Sequence, residues 1–207
     1  FLCQESFLNY SEEFESKMAR FIGTQHGIAV NSGTSALHLS VISQGIKDGD
    51  EVITTPFSFI ASTNCLLYED ATPVFVDINP RTLNLDTKQI EAKITDKTKA
   101  ILPVHVFGQP CDMDEICRLA EKYNLRIIED ACEAIGATFN GKKVGSLGNC
   151  GVFGFYPNKQ ITTAEGGMIV TNSDEVADLC RSLRNQGRDD SSSWLAHQRL
   201  GYNYRIS

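Results

Sequence analysis

Gly27-Ile28-Ala29-Val30-Asn31-Ser32-Gly33-Thr34-Ser35-Ala36-Leu37 is a short apolar run that breaks at a polar, glycine-centred turn and resumes on a helix. Ala36, Leu37, Leu39, Val41 and Ile42 crowd that helix, which is expected to end near Gly45. Strand, turn and helix in this order open an α/β chain, and the pattern repeats outward from here. Upstream, Ser11 reads as the N-cap of a helix whose Phe14, Met18, Phe21 and Ile22 share one face, with Gly23 as its stop. Downstream, Asp48-Gly49-Asp50 turns into the strand Glu51–Thr55. A helix over 59–68, the strand Pro73–Asp77, a helix around Thr87–Ile94 and the strand Ala100–His105 follow. Met113, Ile116, Leu119, Ala120 and Tyr123 mark an amphipathic helix, and Arg126–Asp130 the next strand. Cys150–Tyr156 and Gly167–Thr171 read as two strands with no helix between them, before a last helix carrying Val176, Leu179, Cys180 and Leu183.

Seven near-continuous apolar strands separated by helices predict a three-layer α/β/α fold around a mostly parallel seven-stranded sheet. Ligands in such sheets bind beyond the carboxyl ends of the strands. The polar motifs fall there: the turn at Asn31–Thr34, Phe57-Ser58-Phe59, His105–Pro110, and Asp130. No repeat, low-complexity tract or long linker interrupts the chain, so a single domain is expected.

Composition narrows the function classes. The 207 residues are 42% hydrophobic with a formal net charge of −7, enough length for one large core and the wrong charge for a nucleic-acid partner. Apolar runs such as Ala100–Val104 are far too short to cross a bilayer, and the N-terminus lacks the basic, apolar, small-residue order of a secretory signal. No membrane partner and a cytoplasmic location are therefore expected. The seven cysteines are odd in number and scattered, without a C-x-x-C pair, and read as reduced thiols with no metal site. Cys132, beside acidic residues, reads as a small packing residue in preference to a nucleophile.

Three features carry chemistry. Lys159 sits in Phe155-Tyr156-Pro157-Asn158-Lys159-Gln160-Ile161-Thr162-Thr163-Ala164-Glu165-Gly166-Gly167, a polar loop between two strand-like runs where a fold would hold a reactive amine. Ser32-Gly33-Thr34 offers N–H groups and a hydroxyl at a helix N-terminus, where partial positive charge gathers and glycine permits a phosphate to approach closely. Asp130 closes an apolar strand. Phosphate cradle, acid and lysine together suggest pyridoxal 5′-phosphate. Plainer readings stand beside these: a solvated loop lysine, an ordinary strand-to-helix turn, a carboxylate capping a strand or pairing with Arg126 (more plausible for Glu129), and core packing for Phe59.

Taken in order, Asn31–His38, Gly49–Ile53, Pro73–Asp77, Val104–Gly108, Glu129–Ala137, the Lys159 loop and Gly201-Tyr202-Asn203-Tyr204-Arg205 resemble the DegT/DnrJ/EryC1/StrS sugar aminotransferases, within the fold type I pyridoxal phosphate enzymes. The resemblance runs over nearly the whole chain and implies an aspartate-aminotransferase-like large domain. Family members are longer at both ends and continue into a small C-terminal domain, so residues 1–207 are expected to be a cofactor-binding large domain shortened at both ends, without that small domain.

The resemblance also implies roles. Lys159 would form the Schiff base with the cofactor aldehyde and carry the catalytic proton. Asp130 would face the pyridine nitrogen and keep the ring protonated, Gly33 and Thr34 would bind the phosphate, and Phe59 would stack on the ring. Asn203 would reach the phosphate bound to a neighbouring subunit, which requires a homodimer with shared active sites. His105 reads as a brace for its turn. Two departures stand out: Glu133 replaces the glutamine or histidine that many relatives place beside the cofactor's phenolic oxygen, and Gly154 replaces a phosphate-binding serine. Related sugar dehydratases carry histidine in place of the lysine, so Lys159 implies transamination. The expected reaction transfers an amino group from an amino acid, glutamate by expectation, to a keto group of a nucleotide-linked sugar. The alternatives are a related pyridoxal phosphate enzyme acting on a non-sugar ketone, and a non-catalytic cofactor-binding or regulatory module.

Overall fold

A computed structural model describes residues 4–189 and 196–206. Its strands are β1 (His26–Val30), β2 (Glu51–Thr54), β3 (Thr72–Phe75), β4 (Thr98–Ile101), β5 (Arg126–Asp130), β6 (Thr138–Phe139), β7 (Lys142–Lys143), β8 (Cys150–Gly154) and β9 (Gly167–Thr171). Its helices are α1 (Gln4–Ile22), α2 (Gly33–Ser43), α3 (Ala61–Leu67), α4 (Thr87–Ile90), α5 (Met113–Tyr123) and α6 (Asp174–Arg184). Seven strands form one sheet in the order β1-β9-β8-β5-β4-β2-β3. Pairings β2–β3, β2–β4, β4–β5 and β5–β8 are parallel, and β9 runs antiparallel to both β1 and β8. The mostly parallel seven-stranded sheet is the one the sequence predicts.

Alternation along the strands divides the core. Ile28, Val30, Val52, Leu102, Ile128, Val152 and Ile169 pack with α2, α3 and α6 on one face. On the other face Ala29, Met168 and Val170 meet Met18 and Ile22 of α1. Ile53, Ile101 and Ile127 there meet Met113, Ile116 and Leu119 of α5. Helices α2, α5 and α6 start at side-chain caps. Ser32 accepts from the Ser35 N–H at 3.0 Å, Asp112 from the Glu115 N–H, and Ser173 from the Val176 N–H.

Several boundaries differ from expectation. α1 begins at Gln4, so Ser11 lies inside the helix and is not its N-cap. Phe21 stands off the buried face, 47% exposed, with the Lys143 ammonium 4.6 Å from its ring. β4 stops at Ile101, two residues before Pro103, which has no N–H to give the ladder. The chain still runs beside β5: the Asp130 N–H donates to the Pro103 carbonyl and the His105 N–H to the Asp130 carbonyl. α3 is shorter than the expected 59–68, and the helix at Thr87 gives way to a 3₁₀ turn at Glu91–Lys93. The β6–β7 hairpin was not expected. Its turn is Asn140-Gly141, both with positive φ (48° and 79°), the conformation that a tight two-residue hairpin requires.

Glu129 is fully buried. It accepts from His105 Nε2 at 3.0 Å and the Gly145 N–H at 2.7 Å through Oε2, and from the Leu147 and Gly148 N–H groups at 2.7 and 2.6 Å through Oε1. His105 Nδ1 accepts from the Cys111 N–H at 3.0 Å, which fixes the ring proton on Nε2. His105 therefore braces its turn, and Glu129 does not pair with Arg126. Glu129→Ala leaves these donors buried without an acceptor and is expected to lower the unfolding free energy by about 3 kcal/mol or more. A urea titration reads this directly, and a midpoint unchanged from wild type would contradict the structural role.

Candidate active site

Four segments that leave the carboxyl ends of parallel strands, together with the Lys159 loop, bring the predicted residues to one edge of the sheet. Asp130 ends β5, where alternation turns its side chain toward α3. It is 5% exposed, and its Oδ2 accepts from Ser62 Oγ at 2.6 Å while Oδ1 accepts from the Cys132 N–H at 3.1 Å. Lys159 lies on the connection between β8 and β9. The Phe155 N–H bonds the Gly166 carbonyl at 2.9 Å, and the Phe155 carbonyl accepts from Thr162 Oγ1 at 2.8 Å and the Thr163 N–H at 3.1 Å. Lys159 itself donates its N–H to the Tyr156 carbonyl at 2.9 Å, which turns the chain so that its side chain is only 16% exposed. The lysine is thus not a solvated loop residue.

The Lys159 ammonium donates to Glu133 Oε1 at 3.2 Å, and Glu133 Oε2 accepts from the Phe107 N–H at 3.2 Å. Gln160 Nε2 donates to the Glu133 backbone carbonyl. Phe107 sits in the left-handed region (φ 52°, ψ 27°), a conformation that disfavours a bulky side chain. Its exposed ring meets Phe57 edge to face, with centroids 6.2 Å apart at 88°. Phe59 is 75% exposed at the rim, which rules out core packing for it. These groups surround a cavity of about 300 Å³, with Lys159, Asp130 and Glu133 as its charged residues and Phe57, Phe59 and Phe107 as its aromatic ones. Larger hollows of about 680 Å³ beside α6 and about 790 Å³ at the amino ends of β4 and β5 hold none of the predicted residues.

Gly33 opens α2 beside this cavity. A Cβ there would meet Cys132 Sγ at 3.2 Å and Gly154 Cα at 3.4 Å, so glycine lets the turn close against the end of β8. The Gly33 and Thr34 N–H groups belong to the first turn, where the helix supplies no acceptor. At Gly154 a Cβ would make only ordinary contacts, the nearest with Cys132 Sγ at 3.4 Å, so this position lacks a hydroxyl without being closed to one. Asn203 lies apart from the cavity. It is exposed, and its carbonyl accepts from Asn31 Nδ2 at 3.4 Å. Its segment is tied down by Tyr204, whose carbonyl accepts from the Asn31 N–H at 2.9 Å and whose hydroxyl lies 3.2 Å from His38 Nδ1. His38 Nε2 in turn donates to Glu69 Oε1 at 2.8 Å.

Sequence reasoning missed Ser62, Phe107 and the His38–Tyr204 clamp. Ser58 and Ser62 carried a faint signal, two hydroxyls four residues apart at the entrance to an apolar helix. The left-handed turn at Phe107 had no more than the following glycine to announce it.

A parallel sheet with a buried carboxylate and a shielded lysine converging at its carboxyl edge defines an aminotransferase-type α/β domain. The chain belongs to the DegT/DnrJ/EryC1/StrS aminotransferase family, whose model matches residues 6–207. It is 53% identical to a GDP-perosamine synthase of Caulobacter vibrioides over 94% of this chain and 52% of that protein. The X-ray structure of an aminotransferase from Psychrobacter cryohalolentis superposes with a TM-score of 0.91 at 38% identity, covering 95% of this chain and 52% of that one. NtdA from Bacillus subtilis, solved with bound cofactor PMP, superposes at 0.88 and 35% identity over 95% of this chain and 45% of that one. The chain thus spans about half the length of these relatives. No helix among the described residues is long and apolar enough to cross a membrane. No cluster of metal-ligating side chains is found among them.

The six described cysteines are free, and Cys3 lies outside the described residues. The Cys132 thiol is pushed well above its ordinary range, first by burial and then by the Asp130 charge. A thiol shifted upward stays neutral through neutral pH, and only the thiolate is a competent nucleophile. Cys132 is expected to remain unalkylated by iodoacetamide at pH 8 in the native protein, to react only at a pH well above that of an ordinary thiol, and to react freely in urea. Peptide mass mapping checks this. Rapid native labelling of Cys132 at pH 7 would instead mark it as an activated thiol.

Proposed function

We propose that this chain is the cofactor-binding portion of a pyridoxal 5′-phosphate-dependent aminotransferase that moves an amino group from an amino acid, glutamate, to a keto group of a nucleotide-linked sugar. The observation that carries the reading is the convergence of Lys159 and Asp130 on one aromatic-lined cavity. The site chemistry fits the cofactor. Asp130 is a nearly buried carboxylate with lone pairs left over for a further donor, and Gly33 occupies a turn that a Cβ would crowd. Similarity to a GDP-perosamine synthase and to a structure holding PMP, the amine form of this cofactor, supports both halves of the proposal.

When bound, pyridoxal phosphate supplies an electron-accepting ring and a carbon that carries the amino group between donor and acceptor. Lys159 would hold that carbon covalently through Nζ and, once displaced by substrate, move the proton in both half-reactions through the same atom. Asp130 would keep a proton on the ring nitrogen. The first-turn N–H groups of α2 and the Thr34 hydroxyl would hold the phosphate. Phe59 would cover one ring face, and the ring of Phe107 beside it would limit water at the cavity mouth. Glu133 would sit beside the ring's phenolic oxygen, its carboxylate engaged by Lys159 and the Phe107 N–H. Asn203, exposed and outside its own chain's cavity, suits a contact with the phosphate held by a second copy, so each site would be shared in a homodimer. The enzyme would work in the cytoplasm.

Borohydride reduction in the presence of pyridoxal phosphate, followed by peptide mapping, is expected to place a single adduct on Lys159 and none in Lys159→Ala. That variant is expected to lose activity by a factor on the order of 10³ or more. Release of 2-oxoglutarate from glutamate, coupled to amination of a nucleotide-linked keto-sugar, would complete the assignment. Adducts scattered over surface lysines would overturn it, and turnover with a non-sugar ketone alone would redirect it.

A further inference from the structure

Behind Asp130 lies a pair of hydroxyls that the reading above does not use. Ser62 is 1% exposed in the first turn of α3, and its Oγ donates to Asp130 Oδ2 at 2.6 Å. Ser58, four residues earlier and on the wall of the cavity, has its Oγ 2.7 Å from that of Ser62. The direction of this chain is fixed by elementary bookkeeping of hydrogens. An ionised carboxylate only accepts, and a serine hydroxyl has one hydrogen to give. Because the Ser62 hydrogen goes to Asp130, the Ser62 oxygen must accept from Ser58. The order is Ser58 to Ser62 to Asp130.

Ser62 Oγ donates to Asp130 Oδ2 and the Cys132 N–H to Oδ1, and the neutral Cys132 thiol is a further, weaker hydrogen-bond partner of the same carboxylate. The backbone donor fixes only Oδ1. Without Ser62, the carboxylate could swing about its Cβ–Cγ bond and Oδ2 would lose its hydroxyl donor. The nearby thiols are weak substitutes: burial first and the Asp130 charge second push both Cys65 and Cys132 upward, so they stay neutral and donate weakly. A hydrogen bond as short as the one from Ser62 orients its acceptor.

We infer that Ser62 is a positioning residue that holds the Asp130 carboxylate in a fixed plane toward the cavity, with Ser58 orienting the Ser62 hydroxyl from the cavity side. This rests on the pyridoxal phosphate reading, in which Asp130 keeps the ring nitrogen protonated. It assigns the maintenance of that proton partly to a helix hydroxyl that touches neither substrate nor cofactor.

The test uses the intact protein loaded with pyridoxal phosphate labelled with nitrogen-15 in the ring, compared for wild type, Ser62→Ala, Ser62→Thr and Ser58→Ala. Nitrogen NMR reads the protonated fraction of the ring nitrogen against pH, and steady-state kinetics separate kcat from KM. In Ser62→Ala the ring nitrogen is expected to lose its proton at a lower pH than in wild type, with kcat reduced about tenfold and KM for the donor little changed. Ser62→Thr, which keeps the hydroxyl, restores both, and Ser58→Ala falls between. A role confined to packing would lower the melting temperature of Ser62→Ala and leave the nitrogen titration where it was, and that result overturns the inference. If wild type carries no adduct on Lys159 after borohydride, the cofactor reading itself fails and this inference falls with it. An adduct on Lys159 with identical titrations in all four proteins removes the inference alone.

Discussion

A carboxylate taken out of water must be met by donors, and Glu129 is met by His105 and by three consecutive-loop N–H groups from Gly145, Leu147 and Gly148. That requirement ties two pieces of chain to the end of β5: the turn that follows β4 and the loop that leads into β8. Adjacent residues of a strand face opposite sides of the sheet. Glu129 therefore binds the loops on the α5 side while Asp130, one residue on, points to the α3 side and the cavity. The placement of Asp130 follows from the satisfaction of Glu129, because a shift of β5 along its axis would strand four donors together. The polar anchor is structural, and the polar group beside it is left available for chemistry.

A second constraint is the absence of side chains where three segments converge. Gly33 opens α2, Gly154 closes β8 and Gly167 opens β9. A Cβ on Gly167 would lie 2.3 Å from the Ser32 carbonyl oxygen, inside any tolerable contact, and one on Gly33 would crowd Cys132. Backbone meets backbone here, so the first turn of α2 approaches the strand ends more closely than any side chain would allow. The antiparallel β9 is what makes the arrangement compact. Entering at Gly167 from the Lys159 loop, it runs back between β1 and β8, and so holds both ends of that loop at the site edge of the sheet.

The alternation of strands and helices was readable because a buried parallel strand leaves an unbroken apolar run and a helix covering it leaves a 3.6-residue stripe. Those signals extend over many residues and survive errors at the ends. The start of α1 was misread because Ser11 satisfies a local capping pattern, while the chain before it also takes helical form; a cap signal says that a helix can start, not that one does. The β6–β7 hairpin escaped because its strands are two residues long, below any periodicity, although Asn140-Gly141 was a usable turn signal. In the site, Lys159 and Asp130 were legible from the motifs around them and the structure brings both to one cavity. Ser62 was at best faintly legible, since its importance lies in a contact across 68 residues of sequence that its pairing with Ser58 does not announce.

Glu133 shows how a charged residue at a cavity wall can fit its own surroundings. Glutamine at this position would bring one acceptor and one donor to its two side-chain atoms. The structure instead presents two donors, the Lys159 ammonium and the Phe107 N–H, to which a carboxylate offers two acceptors. The Phe107 N–H faces Glu133 because Phe107 adopts a left-handed conformation, which costs a non-glycine residue on the order of 1 kcal/mol and persists only where surrounding contacts impose it. The Glu133 bond and the Phe57 ring are two such contacts. The residue at 133 and the backbone at 107 thus depend on each other, and through Lys159 both depend on the loop between β8 and β9. The Glu133 carboxylate is in this chain a side-chain tie between three loops that are separated in sequence.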